Sequence, residues 1–459
     1  MTKIRHQNIE QRTEHGKSLR EQTPLSSHGE WSPAQNRPAP VSLIEEQNNG
    51  RLDWLIPVRR WRMSTSPFTF FRGSARIMAA DLAGTPVSGL GVQACGDAHL
   101  ANFGLYASPE RQLVFDINDF DETLAGPWEW DIKRLAASFT IAARHNGLKK
   151  KECHKATRRV VKSYRKAMAD FATMRTTDIW YAKLDGDTFI KTADEAGRAE
   201  QAQAIIDKAQ SKDSRDALDK HAEEFDGKYR IRSEPPVLVP LRDLGDEQSG
   251  GKLLALANDA FETYQQSLAD DCKRLLDRFS PVETALKVVG VGSVGTRCMI
   301  MLLEGRDHND PLFLQIKQAN RSVLEEYLSP GPYDNQGQRV VEGQRLMQTV
   351  SDIFLGWTRS DQSGKDYYWR QLRDWKGSVD VEDINADDLT YLAFVCGWTL
   401  ARAHARSGDP VAIAGYLGSS DSLDDALVEF AESYADQSEK DYEAFIEEIR
   451  SGRLEAVEG

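Results

Sequence analysis

Two stretches far apart in the chain carry side chains suited to phosphate and metal chemistry. In Cys95-Gly96-Asp97-Ala98-His99-Leu100-Ala101-Asn102 a carboxylate and an amide stand five residues apart, in a short loop ahead of a strand. Soon after, Val114-Phe115-Asp116-Ile117-Asn118-Asp119-Phe120-Asp121-Glu122 sets a cluster of carboxylates directly behind an apolar run. Hard oxygen ligands at a strand end suit magnesium bridging phosphates. Far downstream, Val289-Gly290-Val291-Gly292-Ser293-Val294-Gly295 lies between two β-type runs. A glycine-rich hairpin lets backbone approach phosphates with no Cβ in the way. Taken singly, each stretch also reads as ordinary turn chemistry.

Holding these groups requires a scaffold of mixed type. Leu113 to Ile117 is the clearest strand, and between Asp131 and about Arg278 the pattern turns helical, broken by an extended stretch from Glu234 to Leu241. Three β-type runs follow from Ala285 to Gln318. After them come a helix near Gln338 to Thr349, strand candidates at Asp352 to Thr358 and Asp366 to Leu372, a helix from Asp387 to Ala405, and an acidic helical end that includes Ala426 to Arg450. Strands then helices in two blocks predict an α+β fold, with a small antiparallel sheet and a larger helical part. The expected organisation is a disordered polar arm over 1–48, a helical lobe with the Asp97 loop over 49–280, a small β lobe over 281–378, and helices returning to the helical lobe over 379–459.

Composition sets outer limits. The chain has 459 residues, ample for a two-lobed enzyme with a ligand in its cleft. A formal charge of -13 disfavours nucleic acid and anionic membrane as partners. No apolar run approaches a membrane span, and Met1 to Gly50 is polar, without a signal-peptide pattern. The 5 cysteines form no C-x-x-C pair, which argues against a disulfide framework and a structural zinc site, so a reducing cytoplasm is the expected location.

In combination the motifs resemble the aminoglycoside and choline kinase branch of the protein-kinase-like fold. Gly96-Asp97-Ala98-His99-Leu100-Ala101-Asn102 is similar to its G-D-x-H-x-x-N loop, and Asp119-Phe120-Asp121 to its metal motif. Gly126-Pro127-Trp128-Glu129-Trp130-Asp131 resembles the segment whose last Asp props the catalytic loop. Leu314-Gln315-Ile316-Lys317 resembles the strand whose lysine binds the α and β phosphates. In that branch the glycine hairpin and lysine precede the catalytic loop; here they follow it, which implies a circularly permuted, two-lobed arrangement. From about Arg51 the chain also resembles an uncharacterised bacterial family, domain of unknown function 2252. The residues that carry this are Arg62-Met63 with Ser66-Pro67-Phe68, Phe71-Arg72-Gly73-Ser74, Gly96-Asp97-Ala98-His99, Asn118-Asp119-Phe120-Asp121-Glu122, Trp130-Asp131-Ile132-Lys133-Arg134-Leu135 and Gly343-Gln344-Arg345.

The resemblance implies ATP and Mg2+ as cofactors and a small-molecule substrate. Asp97 would orient the attacking hydroxyl, with Asn102, Asp119 and Asp121 holding metal. Gly290, Gly292, Ser293, Gly295 and Lys317 would bind the nucleotide. The distance from Asn102 fits Asp116 as well as Asp119. The helix glutamate expected beside Lys317 is Glu342, with Glu325 and Glu326 as alternatives. Arg72 reaches phosphate or a substrate carboxylate, or else forms a structural salt bridge. His99 braces the loop, His404 packs at a helix end, and Trp128, Trp130 and Trp369 read as core rather than pocket. The implied activity is phosphoryl transfer to a hydroxyl; nucleotidyl transfer and a nucleotide-binding pseudokinase are the alternatives.

Overall fold

Alternation along one strand decides where the downstream lysine goes. In Pro311–Ala319, buried throughout, Leu312, Leu314 and Ile316 enter an apolar cluster with Tyr264 and Trp369, whose rings stack at 4.6 Å. A strand has period two, so Gln315 and Lys317 face the opposite side. Each fully buried Leu or Ile contributes about 1.5–3 kcal/mol, so a one-residue slip that exchanged the faces would be heavily penalised.

The computed structural model describes residues 8–195, 197–244, 257, 259–361, 363–372, 375–378 and 380–459. The amino-terminal part is helical: α1 (Ile9–Gln22), α2 (Pro40–Gln47), α3 (Ile56–Ser64), α4 (Pro67–Gly73) and α5 (Ala75–Leu82). Strands β1 (Gly91–Ala94) and β4 (Leu124–Pro127) pair antiparallel, and between them β2 (Phe103–Ala107) and β3 (Leu113–Ile117) form a hairpin. Next come α6 (Trp128–His145) and α7 (Lys150–Phe171), four short helices and a two-stranded ribbon.

The large sheet is built from β5 (Leu238–Pro240), β6 (Ser280–Lys287), β7 (Cys298–Glu304) and β8 (Pro311–Ala319), then, beyond α8 (Gln336–Met347), β9 (Gly356–Arg359) and β10 (Asp366–Gln371). Its order is β9-β10-β8-β7-β6-β5, antiparallel throughout. The chain ends in α9 (Ala386–Ser407), α10 (Pro410–Leu417) and α11 (Ser422–Arg450). The fold is thus α+β, with small antiparallel sheets and a larger helical region. One apolar cluster joins α6, α7 and α9 to the hairpin, and a separate one lies against the six-stranded sheet. Trp128, Trp130 and Trp369 are buried in these cores. The start of the helical stretch expected to close near Leu275 lies outside the described residues; Asp270–Leu276 is helical.

The polar arm expected to be disordered over 1–48 is helical at Ile9–Gln22 and Pro40–Gln47, and its residues 1–7 lie outside those described. Asn8 and Gln11 cap α1 reciprocally, Asn8 Oδ1 accepting the Gln11 N–H at 2.8 Å. The helix then crosses α10 at glycines. A Cβ at Gly16 would lie 2.1 Å from the Ala412 carbonyl oxygen, and one at Gly415 2.5 Å from that of Thr13. Arg12 closes the contact on Asp409 at 2.8 Å. Backbone-to-backbone packing needs small residues rather than an apolar stripe, so hydropathy gives no sign of it.

Candidate active-site cleft

Each arm of the cleft is fixed by an element whose local sequence explains it. β1 delivers the 95–102 loop, and Asp131, in the first turn of α6, accepts the N–H groups of Cys95 (2.6 Å) and Gly96 (2.9 Å). His404 at the end of α9 lies within hydrogen-bond reach of Asp131 through Nε2 (3.1 Å) and of the Tyr164 hydroxyl through Nδ1 (2.9 Å). The loop is therefore propped from behind by Asp131, as the resemblance implied, and His404 is a buried support.

β3 delivers the second carboxylate cluster and divides it. Asp116, on the strand, points inward. Its carboxylate accepts from the Ile117 N–H (2.9 Å), the Thr349 N–H (2.8 Å) and the fully buried Arg402. Asp119 and Asp121, past the strand end, face a cleft of about 370 Å³. There Lys317 from β8 donates to Asp119 (3.1 and 3.2 Å) and Asp121 (2.8 Å). Tyr368 donates to Asp121 at 2.6 Å, and the Ser293 hydroxyl lies 3.3 Å from the same carboxylate.

Charge is strongly structured in this cleft. Burial alone would raise the Asp119 carboxyl, but Lys317 and Arg370 outweigh it and hold Asp119 well below the usual carboxylate range. Burial would equally discharge Lys317; Asp119 and Asp121 reverse that and hold it well above its ordinary value. Burial, reinforced by Arg72 and Arg134, lowers His99 to about 4, so its ring is neutral at pH 7. Asp97 receives a 2.5 Å hydrogen bond from Arg134 Nε.

Asp97, His99, Asn102, Asp119, Asp121, Gly290, Gly292, Ser293, Lys317 and Arg72 all line this one cleft. Gly290 has φ +60 and open space where a Cβ would sit, so the turn leaves its concave side unfilled. Asn102 is engaged with the backbone: Oδ1 accepts the Asp119 N–H (2.8 Å), and Nδ2 donates to the carbonyls of Asp97 (3.1 Å) and Asp119 (2.9 Å). It staples the two motif loops together. Gly295 is not part of the lining; its carbonyl accepts the Leu52 N–H at 2.7 Å and anchors the base of the turn.

Glu342 does not meet Lys317. It pairs with Arg345 at 3.2 Å on a part-exposed face of α8. The face laid on the carboxylate loop carries Arg339 and Gly343, with Arg339 donating to the carbonyls of Asp121 (2.8 Å), Thr123 (2.5 Å) and Asn320 (2.9 Å). The alternatives are engaged elsewhere, Glu325 with Arg321 and Glu326 with Arg76. The partners of Lys317 are the two loop carboxylates, so no helix acid is required.

Sequence reasoning missed Arg134, Tyr368, Arg370 and Arg339 as parts of the site. Arg134 stood in the Trp130–Leu135 motif, and Tyr368, Arg370 and Arg339 stood in the expected strand and helix without a side-chain role. These last three are defined by contacts across long separations in the chain.

Residues 51–448 match the model of a family described as an uncharacterized protein conserved in bacteria (DUF2252). The chain belongs to this family. No curated protein and no solved structure matches it. The matched span of this DUF2252 member includes both motif loops, the glycine turn and Lys317, and so all of the cleft lining except Gln47. Among the described residues, no helix is long and apolar enough to cross a membrane, and no three His, Cys, Asp or Glu side chains are grouped to hold a metal ion.

Proposed function

We propose that this protein is an ATP- and magnesium-dependent phosphotransferase acting on a hydroxyl of a small molecule. The observation that carries the reading is Lys317 gripping Asp119 and Asp121 beneath the 290–293 turn, with Asp97 in the same cleft. The kinase-like, permuted reading of the fold is supported by the order of elements along the chain, with the Asp97 loop, β3 and α6 ahead of the glycine turn, lysine strand, α8, β10 and α9, and by one cleft lined from both blocks.

The residues present fit the proposed cofactors. The Asp119 and Asp121 side chains keep 43% and 33% of their surface exposed. Two carboxylates with phosphate oxygens and water suit magnesium, which rarely takes an all-protein cage. Magnesium would neutralise charge on the transferring phosphoryl group. Lys317 adds a fixed positive charge, and the open turn offers backbone to phosphate oxygens. Asp97, held by Arg134, orients the acceptor hydroxyl and takes its proton as the new O–P bond forms and the nucleoside diphosphate departs.

A second reading, nucleotidyl transfer, is favoured by Arg370. It lines the cleft and donates to Gln315 (2.9 Å) and the Asn118 carbonyl (2.9 Å), on the Asp119 side where terminal phosphates would meet it if the nucleotide lay reversed. Calorimetric titration of magnesium-ATP into wild type and Asp119→Ala, with mass spectrometry of the incubated products, tests both. The expected result is saturable binding weakened at least about tenfold in the variant. A mass gain of phosphate supports phosphoryl transfer and one of AMP supports nucleotidyl transfer. Absence of binding in wild type would overturn both.

A further inference from the structure

We propose that the acceptor is an anionic hydroxy compound whose carboxylate or phosphate is received by Arg72, beside Asp97. This rests on the group-transfer reading of the cleft and names the substrate class.

Arg72 is the anomaly among the cations of the cleft. Lys317 is neutralised by two carboxylates, Arg321 pairs with Glu325, Arg370 donates to Gln315 and Asn118, and Arg51 donates to the carbonyls of Gln47 and Val294. Arg72 has neither a hydrogen bond nor an ion pair among the described residues, and its Nε is shielded from solvent without a partner. Burial lowers its pKa, and the largest opposing charge is Asp97. Arg72 is half-buried, and a guanidinium whose Nε is cut off from water without a partner carries a desolvation cost that a ligand of opposite charge in the cleft would offset.

The backbone around Arg72 is pinned on both sides. Arg134 Nη2 donates to the Phe71 carbonyl (3.0 Å), and the buried Arg59 donates to the Gly73 carbonyl (3.1 Å). Arg134 is the same residue that holds Asp97, and its guanidinium lies 4.4 Å from the centre of the Phe71 ring. One side chain thereby fixes Arg72 relative to Asp97, giving a preorganised pair of an anion receptor and a hydroxyl-orienting carboxylate. Nearby, His99 Nδ1 is also buried without a partner and is available to the same ligand. Lys317 and Arg370 both lie on the Asp119 side, where Lys317 meets the nucleotide's charge under the phosphotransferase reading, which leaves Arg72 to the acceptor. The planar fork of arginine suits carboxylate and phosphate alike.

The test uses the full chain, with and without the nonhydrolysable analogue magnesium-AMP-PNP, titrated calorimetrically with glycerol 3-phosphate, glycerate and glycerol. In wild type at least one of the two anions binds saturably and glycerol does not; the phosphate and carboxylate arms identify the anion. Arg72→Gln weakens that binding by at least about tenfold, and Arg72→Lys by less, with magnesium-AMP-PNP affinity unchanged within about twofold. Because Arg72 makes no polar contact to lose, Arg72→Gln melts at or above the wild-type temperature; should it fail to fold, Arg72→Lys carries the comparison.

Equal anion binding in Arg72→Gln, or no binding of either anion to wild type, overturns the proposal. So does a loss of magnesium-AMP-PNP affinity in Arg72→Gln of about tenfold or more, which would assign Arg72 to the nucleotide. Arg72-dependent anion binding by a wild-type chain that binds no nucleotide would overturn the phosphotransferase reading and leave the anion site standing.

Discussion

Asp116 and Asp119 stand three residues apart in one motif and live in opposite environments. Asp116 and its partner Arg402 are both 0% exposed, and backbone N–H groups occupy the remaining carboxylate positions. Asp119 keeps 43% of its side-chain surface open to the cleft, and its partner Lys317 also grips Asp121. One pair is closed on every side and can only hold the hairpin to α9. The other is strongly ionised yet still open, the condition a ligand-binding carboxylate needs. Position relative to the strand end separates the two roles, because a residue within β3 must direct its side chain into one packed face or the other.

The comparison breaks most sharply by deleting one charge from each pair. Asp116→Asn leaves Arg402 buried and uncompensated, and urea unfolding should register a loss of about 3–5 kcal/mol. Asp119→Ala leaves Lys317 paired with Asp121 and should lose no more than about 1 kcal/mol, while forfeiting nucleotide binding. Large destabilisation by Asp119→Ala with little from Asp116→Asn would reverse the assignment.

A buried acid without a closed pair sharpens the contrast. Glu129 accepts the Ser88 N–H at 2.7 Å, but among the described residues its Oε2 has no partner and the nearby Lys133 Nζ has none either. Burial raises Glu129 to about 7 and lowers Lys133 to about 8. Since the Glu129 value lies above its ordinary 4.5, the folded chain retains a proton that the unfolded chain releases between those values. Its contribution is complete below pH 4.5 and is lost as pH rises through 7. Glu129→Gln should therefore gain on wild type across that interval by up to about 2–3 kcal/mol, read from unfolding curves at pH 5 and pH 8. A constant difference between the two proteins would show that Glu129 is ionised throughout.

The smallest effect belongs to Glu342. Its pair with Arg345 is part-exposed, so Glu342→Gln should change stability by less than about 0.5 kcal/mol and leave nucleotide affinity within about twofold. A tenfold loss of affinity would restore the helix-acid role that the geometry removes from it.

Legibility followed the range of the interactions. The β3 strand was read to the residue because its apolar run is local, and α8, β10 and α9 fell within two residues of expectation because caps and apolar periodicity are also local. The same reasoning failed for α1, whose stability comes from a glycine crossing with α10, and for Glu342, where the helix was right and the face was wrong. Asn102 was found by its spacing, but its engagement with the Asp97 and Asp119 backbone appears only once the loops are brought together.

The sequence by itself determined which residues are candidates for chemistry and the local elements that hold them, because turn residues, strand alternation and helix caps act within a few positions. Only the tertiary structure decided that the 95–121 and 289–317 segments share a cleft, which carboxylates answer Lys317, and that Arg72 is left without a partner among the described residues. Those outcomes depend on which charges meet after the chain has closed on itself, and burial makes each meeting worth far more than composition or spacing can register.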